Sequence, residues 1–466
     1  MARLFRSFVM ALAVVGLCAA LGYSRPSFGQ VVSPDTPATP KAETAPAKIP
    51  EAEKAAEAFQ RREYDPATTL LKEAVKKNPD LPPAHVIMFQ WFAQSNQAFL
   101  ARMALERAVM DEPTDPEAFV IMGNIGLQER RVTDAELQFD KSLKRKEILD
   151  PQTISGLAAV AEAREKWVEA QSQLEKLLEL SPKDAMGMQR LGRALFQQGK
   201  AAEALKWLRK AKETDPANVL TPEAALARFY EQYGDHKNAV TWMEAALKKA
   251  PEDLPTRLVA AQWALETGQL DVADTHATKA LRLAEEERKV AVEATATQAD
   301  ARLLNAKILR GLVALFRKDF KAAEKFFEDA HLQSPGNFAA KNNLALALCE
   351  QKDKVTRALE LANDSYQQNP KNPETASTVG WVLYRAGYKD RAEQALRMAA
   401  SSGNLSPDTA YYLAQVLYDG GNTDLPKGLL DAALKTTSFS MRPEAQALAD
   451  KIKSLPPPKE KAKDSK

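Results

Sequence analysis

Residues 185–216 read AMGMQRLGRALFQQGKAAEALKWLRKAKETDP, and the fold is decided there. Met188, Leu191 and Leu195 follow one another at steps of three and four, the spacing that lines one face of an α-helix. Beyond Gly199 a second stripe runs Ala204, Leu208 and Ala211, so the stretch reads as two amphipathic helices joined by a tight turn. Gly192 and Ala204 carry almost no side chain where the stripes face each other, which lets the two helices approach closely. Pro216 cannot continue the second helix and turns the chain onward.

The pattern repeats. Prolines in the same relation to a helical stripe stand at Pro79, Pro113, Pro182, Pro216, Pro251, Pro335 and Pro370, separated by 34, 69, 34, 35, 84 and 35 residues. A period of ~34 accounts for four gaps directly, for the 69 as two periods, and for the 84 as two periods plus an insertion. The same phase holds Phe119, Met122, Gly123, Ala135 and Phe139; Arg310, Gly311, Ala323, Phe327, Ala330 and Pro335; and Val379, Gly380, Leu383, Ala392, Leu396 and Ala399. A large residue, a Leu-Gly pair and another large residue, then Ala, a large apolar residue, Ala and Pro, closely resembles the tetratricopeptide repeat. The resemblance implies an all-α, right-handed α-solenoid of stacked helix-turn-helix hairpins. About eleven units start near Lys48, Pro82, Pro116, Pro151, Ala185, Leu220, Leu254, Leu304, Ala339, Pro373 and Pro407, followed by a C-terminal capping helix. One hairpin cannot bury its stripe alone, so stability comes from stacking on neighbours.

The ends read differently. Met1–Arg6 is basic, and Ser7–Tyr23 is an uncharged run centred on Val9–Leu21, the pattern of a signal peptide over 1–29. The expected organisation is that signal, a Pro/Ala-rich disordered linker over 30–50, a solenoid over 51–440 with a helical insertion near 284–303, a capping helix over 441–455 and a disordered Lys-rich tail over 456–466. The expected location is outside the cytoplasm, in the periplasm or at the cell surface, with membrane attachment only if the N-terminal segment stays as an anchor. If Cys18 leaves with the signal, Cys349 is the remaining thiol and no internal disulfide can form. Cys349 shares an apolar stripe with Leu346 and Leu348 and reads as a small buried hydrophobe.

Composition argues against several functions. The 64 Lys and Arg nearly cancel the 62 Asp and Glu, leaving +2 at pH 7, so no basic field points to nucleic acid. His85, His236, His276 and His331 fall in different units and none has a second histidine three or four residues away, so no helix-borne metal site is expected. The stretch from Gly192 to Lys200 looks superficially like a phosphate loop, but six residues separate its glycines and Ala201 follows the lysine. No enzyme activity, cofactor or metal is expected.

What remains is binding. The tetratricopeptide resemblance implies a concave face lined by the first helix of each hairpin, able to take an extended or helical peptide of a protein partner. By phase the exposed candidates are Gln90, Gln94, Asn124, Gln128, Gln189, Arg193, Arg228, Gln232, Gln262, Asn343, Trp381, Tyr384, Arg385, Tyr411, Gln415 and Tyr418. The last of these cluster aromatics with Arg385, the composition of an interface hot spot; the equal alternative is that Trp381 and Tyr384 only pack against the next hairpin. The block Asn342–Phe439 is also similar to bacterial envelope repeat proteins linked to polysaccharide export and surface-protein sorting. The expected role is a non-catalytic scaffold of the bacterial cell envelope. The alternative is an accessory or regulatory subunit of an envelope enzyme, or of an export or sorting machinery.

Overall fold

The fold was taken from a computed structural model, which describes residues 49–455 apart from residues 80, 96, 112–115, 145–148, 371, 402 and 404. The expected signal peptide, nearly all of the expected linker and the expected tail lie outside the described residues. Those residues form 23 α-helices and no strand. The chain divides into two compact units, with the division between Pro255 and Thr256.

The first unit carries α1 (Pro50–Gln60), α2 (Tyr64–Lys77), α3 (Ala84–Gln94), α4 (Ala98–Asp111), α5 (Glu117–Gln128), α6 (Val132–Leu143), α7 (Pro151–Ala163), α8 (Trp167–Leu180), α9 (Ala185–Gln197), α10 (Ala201–Thr214), α11 (Pro222–Gln232) and α12 (His236–Lys249). Each odd-numbered helix packs antiparallel on the even-numbered helix that follows it, α9 on α10 for example. The α9 hairpin shows why. The Asp184 carboxylate accepts from the Gly187 backbone N–H at 2.9 Å, which satisfies a donor left free in the first turn. At the other end Gly199 takes φ +77° and the Lys200 N–H reaches back to the Leu195 carbonyl at 3.0 Å. Met188, Leu191 and Leu195 are then buried against Ala204, Leu208 and Ala211. A Cβ at Gly192 would lie 3.0 Å from Leu208 Cγ, so glycine sets the helix separation. In equivalent turns Arg62, Arg130, Glu165 and Lys318 hold the left-handed conformation instead, with φ between 57° and 64°.

The second unit begins inside the first turn of α13 (Leu254–Glu266) and continues through α14 (Leu270–Val290), α15 (Glu293–Phe316), α16 (Phe320–Gln333), α17 (Phe338–Cys349), α18 (Val355–Gln368), α19 (Pro373–Arg385), α20 (Lys389–Ala400), α21 (Pro407–Asp419), α22 (Asp424–Ala433) and α23 (Arg442–Lys453). Here α14 and α15 run to 21 and 24 residues. Their added turns bury Ala284 and Ala299 and are tied by ion pairs, Arg288 to Asp300 at 2.5 Å and Arg302 to Glu287. Cys349 is buried, and desolvation holds its thiol well above the usual range. α23 covers the last hairpin with Ala445, Leu448 and Ile452, closing an apolar face that would otherwise meet water.

Candidate binding face of the C-terminal unit

Within residues 256–455, successive first helices bring side chains 34 residues apart into a row. Glu350, the residue that caps the C-terminus of α17, and Tyr384 on α19 are such a pair. Between them and α21 lies a cavity of about 440 Å³, lined by Lys318, Phe320, Glu350, Trp381, Tyr384, Arg385, Tyr411, Gln415, Met441 and Glu444. Its floor is aromatic. The Trp381 ring stacks on Tyr412 at 4.3 Å between centroids and 16° between planes, and on Tyr384 at 5.1 Å and 29°. Tyr411 tilts against it at 5.8 Å.

Several polar groups around this floor are paired, while Glu444 Oε2 is buried without a hydrogen-bond partner. Trp381 donates its indole N–H to Glu350 Oε1 at 2.9 Å, and Arg385 Nη2 stands 3.1 Å from the other carboxylate oxygen. The Tyr384 hydroxyl donates to Asp419 Oδ2 at 2.5 Å, and Gln415 donates to Asp419 Oδ1 at 3.2 Å. Burial, and next the donated bond to Asp419, push the Tyr384 phenol up to about 12. Burial also raises Tyr411 and, further, Tyr412, so all three rings stay neutral across the physiological range. On the opposite wall Lys318 Nζ sits 2.9 Å from Glu444 Oε1 and donates to the Ser440 carbonyl at 2.9 Å. A rigid aromatic floor with the half-buried Tyr384 at its surface, rimmed by paired charges of both signs, suits the anchoring of a protein or peptide side chain.

Trp381, Tyr384, Arg385, Tyr411 and Gln415 therefore meet in one cavity. Tyr418 stands on the same helix beyond it, half-buried under the Lys451 ammonium at 5.0 Å. Exposure differs from the expectation at four positions. Trp381 and Tyr411 are 3% and 5% exposed, because rings of neighbouring first helices cover one another rather than standing free. Gln90 and Asn343 are 5% and 2% exposed. α3 is apolar around most of its circumference and is enclosed by α1, α2, α4 and α5, and α17 is enclosed in the same way by α15, α16, α18 and α19. Neither leaves a solvent sector for its amide. Gln262 is half-buried on α13 and bonds Glu266 at 3.1 Å, outside the cavity. In the first unit Gln94 and Gln128 are exposed, while Asn124, Gln189, Arg193, Arg228 and Gln232 are half-buried along successive odd-numbered helices. The Arg193 guanidinium lies 5.7 Å over the Trp167 ring.

Sequence reading missed Glu350, Lys318, Phe320, Met441 and Glu444. Glu350 was within reach, since it precedes Tyr384 by one period. Met441 and Glu444 carry no such signal, because they arrive from the capping segment. Among the described residues no group of three or more His, Cys, Asp or Glu is placed to hold a metal ion, and no helix is long and apolar enough to cross a membrane. His276 Nδ1 accepts from Arg257 at 2.8 Å. His85 Nε2 stands 3.0 Å from Asp111.

The fold and the row of first-helix side chains define an α-solenoid of the tetratricopeptide class. A family profile described as "Tetratricopeptide repeat" matches residues 156–219 and 308–373. Over those two stretches the chain carries tetratricopeptide-type repeats. It is similar to a TPR repeat-containing protein of Pseudomonas aeruginosa, 31% identical over 96 residues that cover 21% of this chain and 16% of that protein. The match thus spans about a sixth of that relative's length. Among solved structures, yeast Tom70 is 14% identical with 87% of this chain and 95% of that chain covered, at a TM-score of 0.36. YrrB, described as a TPR protein with an unusual peptide-binding site, is 18% identical with 40% and 95% covered, at a TM-score of 0.32.

Proposed function

We propose that the chain is a non-catalytic scaffold of the bacterial cell envelope that holds a partner protein or peptide on the inner face of its first helices. A tetratricopeptide fold supports protein–protein interaction in general. The cavity floored by Trp381, Tyr384 and Tyr411 carries the more specific reading. The nearly covered Trp381 and Tyr411 fix a rigid floor, the half-buried Tyr384 and exposed Arg385 offer the contact surface, and the surrounding ion pairs give orientation. The N-terminal basic and apolar runs support export.

Two measurements test this. Fusing residues 1–50 to an alkaline phosphatase reporter is expected to give activity in the periplasm; a reporter retained in the cytoplasm would overturn the envelope role. Crosslinked capture from the envelope fraction, with the full chain and its Trp381→Phe/Tyr384→Phe form, is expected to lose a defined partner in the variant while the fold is kept. An unchanged captured set would remove the aromatic cavity from the binding site.

A further inference from the structure

The inner face of the C-terminal unit is already occupied by part of its own chain. Between α22 and α23, residues 434–441 have no regular secondary structure. They cross back to hairpins far earlier in the sequence. Ser438 Oγ donates to the Leu265 carbonyl at 2.9 Å, across 173 residues, and its Cβ lies 3.5 Å from where a Cβ of Gly268 would stand. Lys318 Nζ donates to the Ser440 carbonyl at 2.9 Å and approaches Met441 Sδ at 3.1 Å. On α21, Asp408 Oδ1 accepts from the Ser440 hydroxyl at 2.7 Å and from the Met441 N–H at 3.1 Å. Asp408 is three residues, one helical turn, before Tyr411 of the cavity floor, and Met441 and Glu444 form the cavity wall.

A capping helix needs none of this. Covering the last hairpin requires only Ala445, Leu448 and Ile452 of α23. The segment before it is held as a bound peptide is held: Lys318 donates to its backbone, Asp408 accepts from its backbone and the Ser440 hydroxyl, and Ser438 donates to the Leu265 carbonyl, with Phe439 and Met441 as its apolar residues. Phe439 is 3% exposed. Such a short, mostly polar attachment can open locally while the flanking helices stay folded.

We infer that residues 436–441 act as an intramolecular ligand of this inner face, and that a partner reaches the Trp381–Tyr384–Tyr411 cavity in full only when this strap is released. This rests on the reading of the cavity as the partner site. The competitor expected here shares the chemistry of the strap, an irregular, turn-containing peptide with small hydroxyl residues around an aromatic one. Because it is tethered on both sides, its effective concentration at the site is on the order of millimolar, so a free peptide must outcompete that.

The test uses the full chain and a labelled synthetic peptide of residues 435–443, KTTSFSMRP, followed by fluorescence anisotropy. Phe439→Ala/Ser440→Ala weakens the strap without touching Trp381, Tyr384 or Tyr411. The variant is expected to bind the peptide at least tenfold more tightly than the wild type, and neither should bind a scrambled peptide. Equal binding to both proteins, or none to a folded variant, would overturn the strap. Hydrogen exchange on the wild type supplies a second readout if the variant does not fold. The Ser438–Met441 amides are expected to exchange at least tenfold faster than those of α21, and equal rates would overturn the inference. Peptide binding reports on the strap whether or not any outside partner exists, whereas lost partner specificity with intact peptide binding would count against the scaffold reading alone.

Discussion

Replacing Gly380 with alanine tests how tightly the helix that carries the aromatic cavity is wedged. Gly380 sits beside Trp381 on α19 and faces α20. A Cβ there would lie 2.5 Å from Leu396 Cγ, 2.9 Å from its Cδ2 and 3.2 Å from the Ala392 carbonyl oxygen. Carbon atoms rest about 3.5–4.0 Å apart, so α19 and α20 would have to part by up to about 1 Å. Leu396 cannot turn aside, since it is 0% exposed. Overpacking of this kind costs about 1–3 kcal/mol. Alanine's better helix propensity returns about 1 kcal/mol. Gly428 on α22 is the control, because nothing stands within 4 Å of a Cβ built there, and alanine gains the propensity alone. Gly380→Ala is therefore expected to be about 1–3 kcal/mol less stable than Gly428→Ala. Urea denaturation followed by circular dichroism measures the difference. Hydrogen exchange at α19 and α20 localises it, because a chain of two compact units need not unfold in one step. Leu396→Ala should cost less in the Gly380→Ala background than its usual ~2–5 kcal/mol. Two alanine variants of equal stability, with no coupling to Leu396, would refute the wedge.

Trp381→Phe keeps the ring stack but drops the N–H bond to Glu350, whose carboxylate still faces Arg385. Its expected cost in a thermal melt is about 1.5–3 kcal/mol, below the ~3–5 kcal/mol of Trp381→Ala, so phenylalanine is the substitution for binding assays. Asp408→Asn preserves an acceptor for Ser440 and Met441, whereas Asp408→Leu strands two donors and should cost about 1–3 kcal/mol for each. Burial holds the Asp408 carboxyl above its usual range, so the folded chain binds that proton before the unfolded one does. Its contribution to stability thus rises as pH falls through the raised pKa, and any advantage of Asp408→Asn at neutral pH should shrink in acid-titrated melts. Burial, then the neighbouring Arg257 and Lys279, depress His276 below 6.5. Its neutral form stabilises the folded state fully above pH 6.5, and that stability is lost as pH falls from there through the depressed value. His276→Gln should flatten this part of the profile.

The solenoid was legible because its signals are local and repeated. The Leu191-Gly192 pair and Leu208 mark a close helix crossing wherever the phase returns, and Gly380 with Leu396 repeats the arrangement. The phase also identified which residues share the inner face. It could not tell whether a neighbour would cover them, and so Trp381 and Tyr411 stood among the exposed candidates although Trp381 is stacked between Tyr384 and Tyr412 and Tyr411 is tilted against both Trp381 and Tyr412. Asn343 and Gln90 went the same way, since burial of an inner-face amide depends on the helices either side of it and not on its own period. Lys318 carried no binding signal. It stands in a turn where glycine is more usual, and only the return of Ser440 and Glu444 to its ammonium gives it a partner.

That return also separates the two halves of the chain energetically. Where hairpins touch only their neighbours, stability is close to a sum of local terms, and the array can open from its ends. Residues 256–455 depart from that rule, because Ser438 reaches Leu265 and the Ser440 carbonyl reaches Lys318, linking the last helices of the unit to its first four. Opening α13 or α15 breaks these bonds as well as the local hairpin contacts, so the ends of the unit lose the independence that allows fraying. Native-state hydrogen exchange should then show α13, α15 and α23 opening with similar free energies, while protection in residues 49–255 rises from α1 toward the interior helices. Phe439→Ala should restore graded opening to the C-terminal unit. If α13 already exchanges independently of α23 in the wild type, the long-range bonds contribute nothing to cooperativity, and the strap is held more weakly than its contacts imply.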